Sequence, residues 1–445
     1  MFPKILIANR GEIAVRVIRA CKEMGIATVA VFSEADREAL HVSLADESYC
    51  IGPAPAAKSY LNMSAILSAA VVSGAQAIHP GYGLLSENPT FAELCAQCHI
   101  KFIGPEADVI RRMGDKEAAR RTMIEAGVPV VPGCDLVEDV EHARREAERI
   151  GFPLLIKARS GGGGRGIRRV NSLDEVERAF LSATAEAQSA FGDGKVYMEK
   201  FLTDVKHIEM QILADEHGHV VCLGERECSM QRKNQKMLEE APSSAVTPEM
   251  RAAMMDVSVR AAKAVGYTGV GTIEFLLTRE GQFYFMEMNT RLQVEHPVTE
   301  ATTGIDLVKW QIRAAAGMPL SFEQKDIRIT GHAIECRINA EDPTHDFRPC
   351  AGRIKLLHVP GGPWVRFDTA LYQDYMVPPF YDSMIGKLIV HAATRAEAIR
   401  KMQAALCELV IEGVEHTAML QGDLILEPEF VNGTYTTAFL SERKG

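Results

Sequence analysis

Over the first 113 residues, short apolar runs alternate with longer segments in which apolar residues recur every three or four positions. The run KILIAN (4–9) is typical of a buried strand, and the segment 11–25 is typical of an amphipathic helix that ends at Gly25. A second strand is predicted at ATVAVFS (27–33). Because strands that alternate with helices build parallel sheets covered on both faces, we predict a doubly wound α/β domain over residues 1–113.

The pattern changes after residue 113. A helix is predicted over 115–127, and together with the apolar stretch that follows it forms a connecting helix and linker over 114–130. Residues 131–202 contain apolar strands around a glycine-rich loop and are predicted to form a smaller unit. From 203 to 445, strands, hairpins and helices are mixed, as in an α+β domain. We therefore expect a multidomain protein that combines α/β and α+β parts.

The run FYFMEMNTRLQVEHP (283–297) has polar residues at every second position, namely Glu287, Asn289, Arg291, Gln293 and Glu295. Successive side chains of an extended segment point to opposite faces, so these five are predicted to share one face. Phe285, Met286 and Met288 are expected to help fill the core. Polar groups beside apolar sequence are costly to bury unless they bind something. Carboxylate and amide oxygens suit Mg²⁺, and an arginine suits a planar or phosphoryl anion. The run predicts a site for a metal-bound nucleotide beside an anionic substrate.

A β-hairpin is predicted from Gly271 through a turn at 279–281 into the same run. This pairing would bring Glu274 close to Glu287 and Asn289, and two carboxylates and an amide form a reasonable Mg²⁺ shell when substrate phosphates complete it. Acidic residues that alternate with apolar ones are also common on surface strands. The metal interpretation therefore depends on the arginine, glutamine and glutamate that follow.

Three other segments are candidates for anion binding. The glycine loop 160–166 follows the strand that ends near Lys157, and its N–H groups are suited to cradle phosphates, although a glycine-rich linker is the alternative. The segment 228–242 carries Arg232, Lys233 and Lys236, although most such charge runs are solvated. A third segment alternates Glu335, Arg337 and Asn339 on one face, where a structural salt bridge explains the arginine equally well.

Composition narrows the function classes. The chain has 445 residues, 47% of them hydrophobic and 24% charged, as in a globular protein with a sizeable core. Its net charge of −10 argues against nonspecific nucleic-acid binding. No signal segment opens the sequence, and no uncharged apolar stretch approaches the ~18 residues that suggest a membrane span. The ten cysteines lack framework spacing and are predicted to be reduced. We expect a cytoplasmic protein without nucleic-acid or membrane partners.

Taken together and in order, six motifs of this sequence resemble those of the biotin carboxylases, a branch of the ATP-grasp ligases. They are IANRGEIAVR (7–16), HPGYGLLSEN (79–88), MGDK (113–116), EMNTRLQVEHPVTE (287–300), ECRINAED (335–342) and PPFYDSMIGKL (378–388). Each is modest alone, but their joint order and spacing are specific, and the match runs from Met1 to about Leu440. The resemblance implies an N-terminal α/β domain, a mobile ATP-grasp lid and a larger C-terminal α+β domain, with ATP between the last two.

The resemblance also implies a reaction and its nucleotide site. In the family, ATP and bicarbonate form carboxyphosphate, and biotin is carboxylated on N1′. By matching position, ATP phosphates would be contacted by Lys116, Lys157, Gly163 and Gly164. The adenine edge would meet Glu199, Lys200 and Leu202, and the sugar region would meet His207 and Gln231. Two Mg²⁺ or Mn²⁺ ions per ATP would be held by Glu274, Glu287 and Asn289.

For the substrates, the resemblance implies that bicarbonate is held by Lys236, Arg291, Gln293 and the backbone of Val294. Glu295 would be the base that deprotonates bicarbonate, and the phosphate product would then help to deprotonate biotin. Arg337 would stabilise the biotin enolate, which suits a group that stays charged, and Tyr82 and Gly83 would line the biotin pocket. The expected catalytic residues are thus Lys236, Arg291, Glu295 and Arg337.

Two departures from the family pattern stand out. Asn234 occupies a position near the nucleotide where the family typically has His, and Asn cannot become cationic. The glycine loop is preceded by Arg159-Ser160, where Ser-Gly is expected. Both departures bear on ATP affinity or lid closure, but neither removes a proposed metal ligand, the base or Arg337.

The expected partners are a biotin carboxyl carrier protein and carboxyltransferase subunits, because no biotinylation motif is present in this chain. The family is often a homodimer with contacts near Arg19, Glu23 and Arg366, although Arg19 and Glu23 are also spaced for an intrahelical ion pair. Fatty acid biosynthesis is one expected setting, while the final carboxyl acceptor stays open. Two alternatives remain: an ATP-grasp ligase for another carboxylate, and a regulatory relative that binds ATP without turnover.

Overall fold

In this computed structural model, the structure describes residues 1–159 and 167–442, apart from the side chains of residues 190 and 191. Gly163, Gly164 and Ser160 lie outside the described residues. The chain divides into two compact units, each described by itself below. The first comprises Met1–Ala119, Lys206–Phe275 and Glu287–Gly445, and the second comprises Arg120–Val205 and Leu276–Met286.

The first unit begins with a five-stranded sheet in the order β3-β2-β1-β4-β5, in which all neighbours are parallel. Its strands are β1 Lys4–Ile7, β2 Ala27–Ser33, β3 Glu47–Gly52, β4 Ala77–His79 and β5 Lys101–Phe102. The helices are α1 Gly11–Glu23, α2 Leu40–Leu44, α3 Met63–Ser73, α4 Pro89–Gln97 and α5 Ala107–Gly114. The next helix, α6 Lys116–Glu125, begins in the first unit and ends in the second. The doubly wound α/β prediction is confirmed, and the sheet is buried on both faces, since Ile5, Leu6 and Ile7 are all fully buried.

The second unit contains a four-stranded antiparallel sheet in the order β6-β9-β7-β8. Its elements are β6 Gly133–Val137, α7 Val140–Ile150, β7 Leu154–Ala158, β8 Ile167–Val170, α8 Val176–Phe191 and β9 Val196–Lys200. The apolar face of this sheet packs on the two helices through a cluster that includes Leu154, Ile156 and Met198.

The remainder of the chain is built around an eight-stranded sheet in the order β14-β13-β10-β11-β12-β15-β22-β20. The strands of this region are β10 Lys206–Ala214, β11 Val220–Arg232, β12 Gln235–Ala241, β13 Gly269–Leu277, β14 Phe283–Asn289, β15 His332–Asn339, β16 Glu341–Asp342, β17 Arg348–Pro349, β18 Gly352–Arg353, β19 Leu356–His358, β20 Val365–Thr369, β21 Met376–Val377, β22 Met384–Ala392 and β23 Val410–Glu412. From β10 to β20 the neighbouring strands run antiparallel, as expected for an α+β region.

Helices cover this sheet and connect its strands. They are α9 Pro248–Val265, α10 His296–Thr303, α11 Leu307–Ala315, α12 Arg395–Glu408, α13 Ala418–Leu424, α14 Pro428–Val431 and α15 Phe439–Glu442. Among the helices that the structure describes, none is long and apolar enough to cross a membrane.

The structure corrects the extended conformation predicted for 283–297. Strand β14 ends at Asn289, because the N–H of Thr290 donates to Glu87 Oε1 (3.1 Å) instead of continuing the sheet, and Pro297 lies in the first turn of α10. Met286, predicted in the core, is 39% exposed, since β14 is the outermost strand of its sheet. Phe285 and Met288 are buried as predicted.

Candidate functional site

Lys236 lies at the centre of a buried cluster of charged side chains. A two-residue turn joins β11 to β12 and places its ammonium over the middle of the sheet. Its Nζ lies 2.6 Å from Glu209 Oε2, 3.0 Å from Glu274 Oε1 and 2.6 Å from Glu295 Oε1. Burial alone would lower the pKa of Lys236, but these three carboxylates hold it well above its usual range. The cluster therefore carries an ammonium ion, with more negative than positive charge around it.

A second cation, Arg226, holds the far side of Glu209. Its guanidinium is fully buried and donates to Glu209 Oε1 (2.5 Å), to Gln211 Oε1 (2.5 Å) and to the hydroxyls of Thr272 (3.1 Å) and Thr299 (2.9 Å). All three guanidinium nitrogens of Arg226 are thus hydrogen-bonded inside the cluster. The residue is suited to fix the floor of the cluster, and not to contact a ligand.

Glu295 joins two parts of the site. One carboxylate oxygen accepts from Lys236 Nζ (2.6 Å), and the other accepts from Arg337 Nη2 (2.9 Å). The residue is the N-cap of α10, where the positive end of the helix favours a negative charge. Burial by itself would raise the pKa of Glu295, but Lys236, Arg337 and Arg226 hold it well below its usual range. The carboxylate is therefore ionised at neutral pH.

Arg337 bridges Glu295 and Glu239. It lies on β15 beside β12, and its Nε donates to Glu239 Oε1 (2.6 Å). Burial raises the pKa of Glu239 to about 7, although Arg337 opposes the shift. The sequence left a salt bridge and a functional role open for this arginine. The salt bridge is present, and one of its two partners is the predicted catalytic base.

The next residue of β12, Glu240, points to the opposite face of the sheet and belongs to a different cluster. Its carboxylate accepts from Arg395 Nε (2.7 Å) and Nη2 (3.0 Å), from Tyr435 Oη (2.7 Å) and from His332 Nε2 (2.6 Å). Although burial opposes it, these partners lower the pKa of Glu240 to about 2. Two adjacent glutamates thus hold two arginines on opposite faces of one strand.

Two of the three predicted metal ligands, Glu274 and Asn289, are in contact at the β13–β14 hairpin, and Glu287 lies two residues before Asn289 on β14. Asn289 Nδ2 donates to Glu274 Oε1 (2.9 Å), and Asn289 Oδ1 accepts from Arg291 Nη2 (2.9 Å). Desolvation of its carboxyl group and the nearby Glu274 carboxylate raise the pKa of Glu287. Burial by itself would raise the pKa of Glu274 as well. Lys236 and His207, whose Nε2 is 2.9 Å from Glu274 Oε2, instead hold that pKa well below its usual range. Carboxylate and amide oxygens with surplus negative charge fit Mg²⁺ or Mn²⁺.

Arg291 and Gln293 reach the cluster from the loop that follows β14. Arg291 Nε donates to Glu87 Oε2 (2.9 Å), and Gln293 Nε2 donates to Glu274 Oε1 (2.9 Å). The predicted residues therefore converge, but through loop geometry and not through strand alternation.

Tyr82 and Gly83 follow β4 in the N-terminal part of the first unit. The carbonyl of Tyr82 accepts from Asn9 Nδ2 (2.8 Å), its hydroxyl donates to Glu12, and Gly83 adopts a left-handed conformation with φ +64°. Lys387 approaches the Tyr82 ring at 5.9 Å. The biotin-pocket candidates thus adjoin a buried Glu–Lys pair that the sequence did not indicate.

The nucleotide candidates of the first unit are spread around the cluster. Lys116 begins α6, Gln231 lies next to the end of β11, and His207 is buried on β10 beside Glu274. Asn234 is exposed at the tip of the β11–β12 turn, where it and Lys233 have φ of +63° and +49°. Asn tolerates this left-handed conformation.

The candidates of the second unit lie on one strand pair and the loop after it. Lys157 on β7 pairs with Glu199 on β9, and Lys200 Nζ donates to the carbonyl of Phe152 (2.6 Å). Leu202 follows β9. Before the glycine loop, Arg159 pairs with Asp193 (2.7 Å), so this departure from the family pattern has a local partner.

Sequence reasoning missed several members of the cluster, above all Glu209, Arg226 and Glu239. Each lies in a strand that also carries apolar residues, but Arg226 and Glu239 have charged neighbours in sequence, so the pattern is weaker than the one that indicated Glu287 and Asn289. The signal was present, but only the sheet order shows that the three strands are neighbours.

The comparisons with known proteins give first the class and then the family. Residues 115–323 match the family described as carbamoyl-phosphate synthase L chain, ATP binding domain, and define an ATP-grasp ligase. On either side, residues 1–110 match the biotin carboxylase N-terminal domain and residues 335–442 match the biotin carboxylase C-terminal domain. The chain belongs to the biotin carboxylase family.

Similar proteins cover nearly the whole chain. A biotin carboxylase of Nostoc sp. is 57% identical over 442 residues, which is 99% of either chain, and a biotin carboxylase of Haemophilus influenzae is 55% identical over 100% of this chain and 99% of its own length. A crystal structure of the biotin carboxylase domain dimer of Hydrogenobacter thermophilus 2-oxoglutarate carboxylase contains MgADP, ADP and bicarbonate. It has a TM-score of 0.91 at 50% identity and covers 99% of this chain and 98% of its own.

Proposed function

We propose that this protein carboxylates biotin on a biotin carboxyl carrier protein, using ATP and bicarbonate and releasing ADP and phosphate. The observation that carries the proposal is the Glu295 carboxylate, whose oxygens contact Lys236 at 2.6 Å and Arg337 at 2.9 Å. One carboxylate thereby adjoins both the cation suited to bicarbonate and the cation suited to a biotin enolate.

In the first step, Lys236, Arg291, Gln293 and the Val294 backbone hold bicarbonate. Glu295 accepts its proton while a bicarbonate oxygen attacks the γ-phosphorus of ATP, the bond to ADP breaks and carboxyphosphate forms. Bicarbonate is a weak nucleophile, so cationic anchoring and a nearby base are what the chemistry requires.

The binding of bicarbonate by Lys236 gives Glu295 the basicity that this step needs. In the structure its pKa is held low, burial notwithstanding, chiefly by Lys236. When the ammonium group of Lys236 binds bicarbonate, its interaction with the Glu295 carboxylate weakens and the pKa of Glu295 rises. Substrate binding thus prepares the base.

In the second step, carboxyphosphate breaks down to CO₂ and phosphate, and phosphate takes the N1′ proton of biotin. The enolate that results is stabilised by Arg337, and its nitrogen attacks CO₂. Tyr82 and Gly83 line the pocket that holds the biotin ring. A fixed guanidinium aimed at the developing negative charge is the main electrostatic contribution.

Glu274, Glu287 and Asn289 would hold the two Mg²⁺ or Mn²⁺ ions, which neutralise phosphate charge when bound. The remaining nucleotide contacts are assigned to Lys116, Lys157, Gly163, Gly164, Glu199, Lys200, Leu202, His207, Gln231 and Asn234. Of these, Gly163 and Gly164 are assigned from the sequence alone.

The proposed partners are the carrier protein and carboxyltransferase subunits, in the cytoplasm, with this chain as a homodimer. Support for a dimer comes from the dimeric 2-oxoglutarate carboxylase domain. Of the residues expected at the contact, Glu23 pairs with Lys309 (2.5 Å) within the chain, and Arg366 pairs with Asp368 (2.6 Å).

The test is bicarbonate-dependent ADP release by the native chain, with and without biotin. The proposal expects turnover that requires bicarbonate and is stimulated by biotin, together with label from bicarbonate in carboxybiotin. Bicarbonate-dependent turnover that is indifferent to biotin would mean a different acceptor. ATP binding without turnover in the presence of carrier would mean a regulatory relative.

A further inference from the structure

Lys387 is a fully buried lysine that the proposed mechanism does not use. It lies on β22, directly across from Arg337 on β15. Its Nζ donates to the carbonyl of Val294 (2.7 Å) and lies 3.1 Å from Glu12 Oε1. A buried ammonium is costly unless it is paired, so its position between a backbone carbonyl and a carboxylate calls for an explanation.

The two neighbouring cations hold consecutive residues of one loop. Arg337 binds the side chain of Glu295, and Lys387 binds the carbonyl of the peptide that joins Val294 to Glu295. The pair on β15 and β22 therefore fixes both the side chain and the backbone of the segment that precedes α10.

Glu12 holds Lys387 from the other side. Its Oε1 is paired with Lys387 and also accepts from the Tyr82 hydroxyl. An unbroken chain of contacts thus runs from Tyr82 through Glu12 and Lys387 to the Val294 carbonyl. The first residue of this chain is a candidate for the biotin pocket, and the last is a candidate for bicarbonate binding.

We propose that Lys387 is a positioning residue for the bicarbonate step, because it sets the orientation of the Val294–Glu295 peptide. This inference rests on the proposed function, in which the Val294 backbone holds bicarbonate and Glu295 accepts its proton. Lys387 itself touches neither substrate. A displacement of about 1 Å in such a contact is enough to reduce a rate about 100-fold.

The test is Lys387→Met, which keeps the length of the side chain and removes its charge and donors. The matched control is Lys4→Met, since Lys4 Nζ also donates to one carboxylate, Glu47 (2.6 Å), and one carbonyl, Ser73 (2.7 Å). We expect Lys387→Met to raise KM for bicarbonate ~10- to 100-fold while KM for ATP changes by less than about twofold, because the nucleotide contacts are left in place. Lys4→Met should leave both constants near native, and Lys387→Arg should restore part of the loss.

A second variant covers the case in which Lys387→Met does not fold. Glu12→Gln keeps an acceptor for Lys387 and removes only the charge, so KM for bicarbonate should rise in the same direction by a smaller factor. Binding of ¹³C-bicarbonate, followed by NMR line broadening with MgADP present, gives a readout that does not need turnover.

The outcomes separate the two ideas. The positioning role alone is overturned if the native chain turns over as proposed but Lys387→Met changes KM for bicarbonate and KM for ATP equally. It is also overturned if Lys4→Met reproduces the effects of Lys387→Met. If the native chain binds bicarbonate but shows no biotin-stimulated turnover, the proposed reaction is rejected. Weaker bicarbonate binding by Lys387→Met would in that case still support the positioning role. A native chain that binds no bicarbonate refutes both.

Discussion

Replacing Arg337 with lysine tests the assignment of the enolate-stabilising group. The guanidinium contacts two different carboxylates, with Nε at 2.6 Å from Glu239 and Nη2 at 2.9 Å from Glu295. An ammonium group keeps the charge but lacks the planar fork that reaches both partners. Arg337→Lys therefore changes geometry more than electrostatics.

The size of the effect follows from the hydrogen bonds that the lysine cannot make. A hydrogen bond to a charged group contributes about 1.5–3 kcal/mol, so removing one such bond corresponds to ~10- to 100-fold in rate. The biotin step loses in addition a donor aimed at developing charge, which typically costs ~10²–10³. We expect carboxylation of biotin to fall ~10³–10⁵-fold, and ATP cleavage without biotin to fall only ~10- to 100-fold.

The assay compares incorporation of labelled bicarbonate into biotin with ADP release in the absence of biotin. Arg395→Lys is the matched control, because Arg395 forks onto Glu240, the neighbour of Glu239, at 2.7 and 3.0 Å. Both variants should lose similar stability. Arg395→Lys should slow both activities only modestly, through the backbone that Glu240 shares with Glu239, whereas Arg337→Lys should separate the two activities by ~tenfold or more. Equal loss of both activities in Arg337→Lys, or the same separation in Arg395→Lys, would refute the assigned role.

The remaining predictions concern the base, stability, the metal and the turn. Glu295→Gln should lower bicarbonate-dependent turnover ~10²–10⁴-fold with ATP affinity retained, whereas Glu227→Gln, a buried lysine-paired control, should not; equal losses in steady-state assays would contradict this. Glu240 has a pKa of about 2 against an ordinary 4.5, so its ionised form stabilises the fold by roughly 3 kcal/mol above about pH 4.5. This contribution is lost as the pH falls toward 2. The melting temperature of Glu240→Gln should therefore decline less steeply than that of the native chain over this pH range. Chelation should abolish turnover, and Glu274→Gln should raise the Mg²⁺ concentration for half-maximal rate ~10- to 100-fold, a change that a metal titration measures directly. Asn234→His should change KM for ATP by less than about threefold, because the turn tolerates either side chain and both can hydrogen-bond the nucleotide. A larger change would mean that the nucleotide contact depends on the charge or size of this side chain.

Much of the fold could be predicted because its signals are local. The strand at 27–33 matches β2, and the helix predicted from 115 is capped by Asp115, whose Oδ1 accepts from the N–H of Ala118 (2.9 Å). The hairpin that brings Glu274 to Asn289 also follows from turn residues and alternation. Such features depend on neighbours in sequence, which a single chain displays.

The rest of the site could not be predicted, because it depends on which strands become neighbours. The order β11-β12-β15-β22 brings Lys236, Arg337 and Lys387 into one layer, although some 150 positions separate the first from the last. The loop after Asn289 shows a further limit. Alternation singled out residues that the structure brings together there, but their convergence is produced by a helix start and by a contact to Glu87 far away in sequence.

The two adjacent glutamates of β12 have an evolutionary consequence. Glu239 and Glu240 share one peptide unit, so a shift that relaxes the Arg395–Tyr435 cluster also moves the partner of Arg337. We therefore expect substitutions in the C-terminal helices to be selected for their effect on the rate of turnover as well as for their effect on folding. When C-terminal segments are exchanged between related carboxylases, a chimera that melts at the native temperature can still be slow, and restoring the native contacts of Glu240 should restore the rate.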